Sequence, residues 1–313
     1  MTRAFVFPGQ GSQAVGMGQE MAAAFPVARH ALQEVDEALH QNLSRLMAQG
    51  PPDELTLTEN AQPALMAVSL SVLRVLETEA GVDIRKSCKY VAGHSLGEYS
   101  ALAAARSLDI SGAAKLLKKR GQAMQEAVPI GLGAMAALLG ADLDQARNLA
   151  ADAAEDEVCE TANDNATGQI VISGHKTAVD RAIALSAERG IRRAIPLPVS
   201  APFHCALMQP AAEIMEQALG ECDLRRPVVP VIANVTAAEA DRPDEIRKLL
   251  VKQVTAMVRW RESVLTMRDA GVDTLVELGA GRVLSGLLKR IDRDMTAISI
   301  EGPNDIESLV KTL

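Results

Sequence analysis

Aromatic side chains are scarce in this chain: one Trp, two Tyr and four Phe among 313 residues, 2% of the whole. Nucleic-acid binders stack bases on such rings and cover phosphates with cations. Few rings and a net charge of −8 at pH 7 therefore exclude nucleic acid from the expected partners. Cysteine is sparse too. Cys88, Cys159, Cys205 and Cys222 lie far apart in no metal-ligand spacing, so no metal site is expected and the thiols read as reduced. No stretch approaches the ~20 apolar residues of a membrane span. The N-terminal run Ala4-Phe5-Val6-Phe7 stops at Pro8, short of the about 7–15 apolar residues of a secretory signal. A cytoplasmic protein without a membrane partner is expected.

What the chain does have is apolar bulk. Hydrophobic residues make up 48% and charged residues 23%, enough for one large domain or two smaller ones. Phe5-Val6-Phe7 reads as a strand that runs into the loop Pro8-Gly9-Gln10-Gly11-Ser12-Gln13. Helical periodicity covers 15–48 and 60–79, broken at Pro51-Pro52, and further helices are expected around 96–106 and 111–127. Beyond Pro129, Gly131 and Gly133 the texture changes. Ala134 to Leu139, Gln169 to Ser173 and Arg193 to Leu197 read as strands, with helices at Leu143 to Ala154 and Lys176 to Arg189, a compact β-α-β-α-β insert. Val228 to Ile232, Thr274 to Leu278 and Ala297 to Ile300 then read as buried strands of the first unit. The alternation predicts a parallel α/β sheet carrying a small α+β subdomain, with 1–127 and 199–313 in the large unit and 128–198 in the small one.

The most informative stretch is Tyr90-Val91-Ala92-Gly93-His94-Ser95-Leu96-Gly97-Glu98. It places Gly-x-Ser-x-Gly between a short apolar strand and a helix. On such an elbow the serine hydroxyl stands exposed on a strained turn, next to the positive end of the helix dipole. Serine needs a base, and five histidines are available. His30 and His40 lie on charged helix patterns and His175 in a Gly-His-Lys turn, so all three are expected to be solvated. His94 should project away from the Ser95 hydroxyl. His204, in the turn-rich Ser200-Ala201-Pro202-Phe203-His204, is the best base by elimination. An acid to orient it is harder to find. Asp142, Asp144, Asp152, Glu155, Asp156, Asp164 and Asp180 all lie within the insert, and none has a context that marks it. A backbone carbonyl or an amide side chain is the alternative. Arg120 ends a basic run with Lys115, Lys118 and Lys119, which by pattern alone is a solvated last turn of a helix.

Taken together, Phe7-Pro8-Gly9-Gln10-Gly11-Ser12-Gln13, Gly93-His94-Ser95-Leu96-Gly97-Glu98 and Pro202-Phe203-His204 resemble the malonyl-CoA:acyl-carrier-protein transacylases. Lys119-Arg120-Gly121, Asn163-Asp164-Asn165, Ala233-Asn234-Val235-Thr236 and Gly279-Ala280-Gly281-Arg282-Val283-Leu284 extend the resemblance over nearly the whole chain. It implies an α/β-hydrolase-like large subdomain with an inserted ferredoxin-like subdomain. It further implies ping-pong transfer of malonyl from malonyl-CoA to the phosphopantetheine thiol of acyl carrier protein, without cofactor or metal; a monomer is expected. Ser95 would be the nucleophile and His204 the base, with the N–H groups of Gln10 and Leu96 as oxyanion hole. Arg120 would hold the malonyl carboxylate, and the Gln253 main-chain carbonyl would orient His204. Here the sequence departs from the family, because Ala256-Met257-Val258-Arg259-Trp260 lacks the usual proline. His94 and Phe203 would shape the acyl pocket. An acidic carrier needs a locally basic docking face, for which Arg192, Arg193, Lys289 and Arg290 are the candidates. A free-standing polyketide acyltransferase carries the same motifs. A serine thioesterase or esterase, or a carrier-docking module with a vestigial site, is the reading of another class.

Overall fold

The structure, a computed structural model, describes residues 1–310. The final three positions of the expected large unit, 311–313, lie outside the described residues. The first strands are β1 (Arg3–Phe7), β2 (Tyr90–Gly93), β3 (Gly133–Leu139), β4 (Cys159–Ala166) and β5 (Gln169–His175). They are followed by β6 (Arg193–Pro196), β7 (Val231–Ala233), β8 (Ala238–Ala240), β9 (Thr274–Leu278) and β10 (Thr296–Ile300). Two sheets result, a six-stranded one in the order β10-β9-β1-β2-β7-β8 and a four-stranded one in the order β4-β5-β3-β6. The large sheet is parallel apart from β8, which turns back along β7. Its central strands are buried along their whole length, which is why they read as near-continuous apolar runs rather than alternating ones.

The small sheet is antiparallel. Helix Leu143–Ala154 joins β3 to β4, and helix Lys176–Leu185 joins β5 to β6. This β-α-β-β-α-β order is ferredoxin-like, and it corrects the five-element insert expected from the sequence. The strand that was missed, β4, reads Cys-Glu-Thr-Ala-Asn-Asp-Asn-Ala, and its polar residues hide the strand pattern. Ala136, Leu138, Ile170 and Ile172 point from the sheet to its two helices, whereas Met135 and Val171 belong to the core shared with the large sheet. The stretch 15–48 also differs from expectation. It divides into helices Gln19–Ala24, Pro26–Leu39 and Leu43–Gln49, because Pro26 opens a new helix and Asn42 caps another.

Helix Thr58–Glu79 is buried on all sides from Asn60 to Leu73, as a helix that is largely apolar all round should be. Among the described residues no helix is long and apolar enough to cross a membrane. Helix Ile110–Glu126 lies against Thr58–Glu79, and Gly121 sets how closely. A Cβ at Gly121 would stand 2.4 Å from the Glu59 Cα. Gly121→Ala is therefore expected to lower stability by about 1–3 kcal/mol through overpacking, despite alanine's ~1 kcal/mol advantage inside a helix. Denaturant midpoints measure this, and an unchanged or raised midpoint would show that the two helices can part without cost.

Candidate active site

The loops after β1 and β2 meet because the two strands are parallel neighbours, with Phe7 opposite Gly93. The carboxyl ends of adjacent parallel strands are where such sheets gather their ligand-binding loops. Ser95 follows β2 with φ 53°, a left-handed conformation that costs a non-glycine residue about 1–3 kcal/mol. The flanking glycines make the turn possible. A Cβ at Gly93 would meet the Gly97 carbonyl oxygen at 1.8 Å, and one at Gly97 would meet that of Phe7 at 2.3 Å. Asn234, at the end of β7, fastens the elbow from the other side. Its Oδ1 accepts the Ser95 N–H at 2.7 Å and its Nδ2 donates to the Gly93 carbonyl at 2.7 Å.

His204 Nε2 lies 2.8 Å from Ser95 Oγ, and its Nδ1 lies 2.8 Å from the main-chain oxygen of Gln253. A carbonyl can only accept, so the ring proton sits on Nδ1 and the Nε2 lone pair faces the hydroxyl. The carbonyl is free because helix Pro243–Thr255 ends two residues later. Ala256 is extended (φ −107°, ψ 156°); its N–H still reaches the Lys252 carbonyl, but the Gln253 carbonyl, one residue on, is left without an intrahelical donor. The helix stops without the missing proline. No acid of the insert reaches the histidine. Asp142, Asp144, Asp152, Glu155, Asp156 and Asp180 are exposed, and buried Asp164 is taken by Arg261 in three hydrogen bonds of 2.8–3.0 Å. Burial, then the positive charge of Arg120, push the His204 imidazole down to about 3. At neutral pH it is an uncharged proton acceptor.

Arg120 is 1% exposed, so a solvated last turn is overturned by the structure. It lies inside helix Ile110–Glu126, while Lys115 and Lys119 face solvent and Lys118 pairs with Glu59. Its guanidinium donates to Gln62 Oε1 at 2.7 Å, Gln253 Oε1 at 2.9 Å and Ser95 Oγ at 3.2 Å. Its Nε has no acceptor among the described residues. Burial lowers its pKa, but arginine stays charged. This is a desolvated cation held by neutral oxygens, without a direct ion pair.

These groups open on a cavity of about 470 Å³ also lined by Gln10, Leu96, His94 and Phe203. Among the described residues no protein acceptor takes the main-chain N–H of Gln10 or Leu96. His94 turns away from the Ser95 hydroxyl as expected, with its Nε2 2.8 Å from Asn165 Oδ1 and its ring tilted on Trp260. Met124, Met135, Val171, Leu197 and Val199 form an apolar wall, partly from the small sheet. His30 and His40 are exposed; His175 is half-buried instead, its Nδ1 accepting the Val158 N–H at 2.9 Å. Arg192, Arg193, Lys289 and Arg290 are all exposed, outside the cavity. Arg193 and Gln169 both pair with Leu139, and Arg290 reaches Gln169 at 3.3 Å, so Arg193 and Arg290 lie at the same end of the small sheet. Among the described residues no group of three or more His, Cys, Asp or Glu could hold a metal ion.

Sequence reasoning gave no role to Gln62, Glu98 or Asn234, yet all three reach the site. The available signal was polarity in the wrong place: Gln62 and Glu98 stand in helices that are otherwise buried and largely apolar.

Residues 4–299 match the family model described as the acyl transferase domain. Malonyl CoA-acyl carrier protein transacylase of Bacillus subtilis (strain 168) is 45% identical over 311 residues, covering 99% of this chain and 96% of that protein. Its namesake in Escherichia coli (strain K12) is 46% identical over 301 residues, 96% of each chain. Among solved structures, acyl-carrier-protein-S-malonyltransferase from Bartonella henselae superposes with TM-score 0.97 at 49% identity, covering 100% of this chain and 99% of that one. A malonyl-transacylase in complex with its type II PKS acyl-carrier protein gives TM-score 0.96 at 40% identity, covering 100% of both chains.

The protonation of His204 can be tested directly. Because the folded His204 binds its proton more weakly than an ordinary imidazole at 6.5, its stabilising contribution is complete above that pH and is lost as pH falls towards about 3. With ¹⁵N-labelled histidine, the signal that disappears in His204→Ala should remain that of a neutral Nδ1–H imidazole from about pH 8 to about pH 5. A midpoint near 6.5 for that signal would overturn the assignment.

Proposed function

Because the chain belongs to the acyl transferase domain family, we propose that it is a malonyl-CoA:acyl-carrier-protein transacylase. The observation that carries the malonyl assignment is the buried Arg120 guanidinium 3.2 Å from Ser95 Oγ. An acyl group on that oxygen with a carboxylate at its far end would bring the anion to the cation. Planar guanidinium and planar carboxylate then match in a bidentate pair.

The reaction runs in two halves. Ser95 Oγ attacks the thioester carbonyl of malonyl-CoA as His204 Nε2 takes the hydroxyl proton. The N–H groups of Gln10 and Leu96 stabilise the negative oxygen of the tetrahedral intermediate. Its collapse breaks the C–S bond, the proton passes from His204 to the departing sulfur, and CoA leaves malonyl-Ser95 behind. In the second half the phosphopantetheine thiol of the carrier gives its proton to His204 and attacks the ester. Ser95 leaves and is reprotonated. The Gln253 carbonyl steadies the imidazolium formed midway in each half, at the negative end of its helix. Neither half needs a cofactor. The apolar wall and the occupied guanidinium keep water from the ester, which favours transfer over hydrolysis. Phe203 narrows the acyl pocket, and a methyl branch is worth only ~1–3 kcal/mol in such discrimination. We place the protein in the cytoplasm.

Arg120→Ala is expected to lower kcat/KM for malonyl-CoA by about 100-fold or more, as loss of charge-assisted hydrogen bonds implies, while sparing transfer from acetyl-CoA. Unchanged malonyl kinetics would sink the carboxylate role. Mass spectrometry after addition of malonyl-CoA should find a stable malonyl adduct on Ser95, absent in Ser95→Ala; free malonate without an adduct would indicate a hydrolase. Charge reversal at Arg193 and Arg290 should raise KM for the carrier protein and leave KM for malonyl-CoA alone, and equal effects on both would remove those residues from the docking face. Assays with fatty-acid and polyketide carriers side by side identify the acceptor.

A further inference from the structure

Glu98 sits in the first turn of helix Gly97–Ala104, where a carboxylate ordinarily faces solvent and complements the dipole. Here it is 2% exposed and its Oε2 accepts two hydrogen bonds. One comes from the Gln253 side-chain amide at 2.7 Å, the other from the Asn234 main-chain N–H at 3.0 Å. The first fixes the orientation of an amide that has two different ends. With its NH₂ held by Glu98 and, at 3.0 Å, by the Ser95 carbonyl, Gln253 must present Oε1 to Arg120, which it accepts at 2.9 Å. A flipped amide would turn NH₂ towards the guanidinium, donor against donor. The second bond holds the residue whose side chain fastens the Ser95 elbow.

Resting on the transacylase reading above, we propose that Glu98 is a positioning residue that aims the Arg120 guanidinium at the acyl carboxylate by fixing the side-chain amide of Gln253. The base depends on Gln253 through the main chain, and the arginine through the side chain. Removing the carboxylate therefore disturbs the arginine more than the histidine. Burial pushes the Glu98 carboxyl up to about 7, and the Asn234 N–H, the Gln253 amide and the Arg120 charge pull against it. A buried acid kept close to the arginine but out of direct contact leaves the guanidinium free to turn to a substrate. The path from Glu98 to the substrate is a chain, Glu98 to Gln253 to Arg120, and cutting it at either of the first two links should have the same consequence.

The test is a double-mutant cycle on Glu98→Met, Gln253→Met and the pair, read as kcat/KM for malonyl-CoA and for acetyl-CoA. Each single variant should lower the malonyl value by about 10- to 100-fold, the size of one charge-assisted hydrogen bond, and the acetyl value by a much smaller factor. The pair should be no worse than the poorer single. It also keeps the test open if Glu98→Met folds badly, because two facing apolar side chains leave no amide unpaired between them. Glu98→Gln, which retains an acceptor oxygen, should recover most of the malonyl selectivity. Parallel loss of both substrates, or losses that add in the pair, would overturn the proposal and leave Glu98 a purely structural acid. If the wild-type protein forms no malonyl-Ser95 at all, it is the transacylase reading that fails.

Discussion

The structure around the site is organised by one costly act, taking the Arg120 guanidinium out of water. An ionised group inside a protein is tolerated only when most of its donors are met, and here the two terminal nitrogens are met by two amide oxygens and a hydroxyl, while Nε has no acceptor among the described residues. Much else follows from that requirement. Gln62 is buried in the central helix because its Oε1 is needed, and Gln253 is fully buried for the same reason. Gly121 lets the arginine's helix approach the helix of Gln62 closely enough for the bond to form. Tyr99 offers its ring face 5.8 Å from the guanidinium carbon, a further contact for a cation without water. The same charge helps to keep His204 neutral.

The site joins parts that are made in different ways. Ser95 and the Gln10 loop come from parallel neighbours in the large sheet, where the register fixes their meeting. His204 is held by a helix end, whose unused carbonyl performs the orienting task that a carboxylate performs in many serine enzymes. The small sheet supplies apolar wall and amides. Asp164 and Arg261 tie β4 to the first turn of helix Trp260–Asp269, so Asn163 and Asn165 flank the tie and line the cavity. Ser95 and His204 thus lie outside the small sheet, which supplies part of the opposing wall.

Legibility in the sequence tracked the range of the interactions. The elbow was readable because its constraint is local: a strained serine needs glycines two residues to either side. Helix Leu143–Ala154 and strand β9 were readable from their apolar patterns. Strand β4 was not, because its partners rather than its composition make it a strand. Pattern alone placed Arg120 on a wet basic turn. Its burial depends on helix Thr58–Glu79, more than forty residues earlier in the chain, a long-range fact that no local window carries. Only the family resemblance anticipated a polar role for Gln253, and then for its carbonyl alone.

The sequence by itself determined the chemistry on offer: a serine on an elbow, one well-placed histidine, no marked acid, and a chain of alternating strands and helices with an insert. These follow from backbone sterics and side-chain period, which act over a few residues. The tertiary structure decided which charges are dry. Desolvation depends on everything packed around a group, so the neutrality of His204, the exposed cation at the heart of a motif becoming a buried one, and the inward turn of Glu98 emerge only when distant segments close over them.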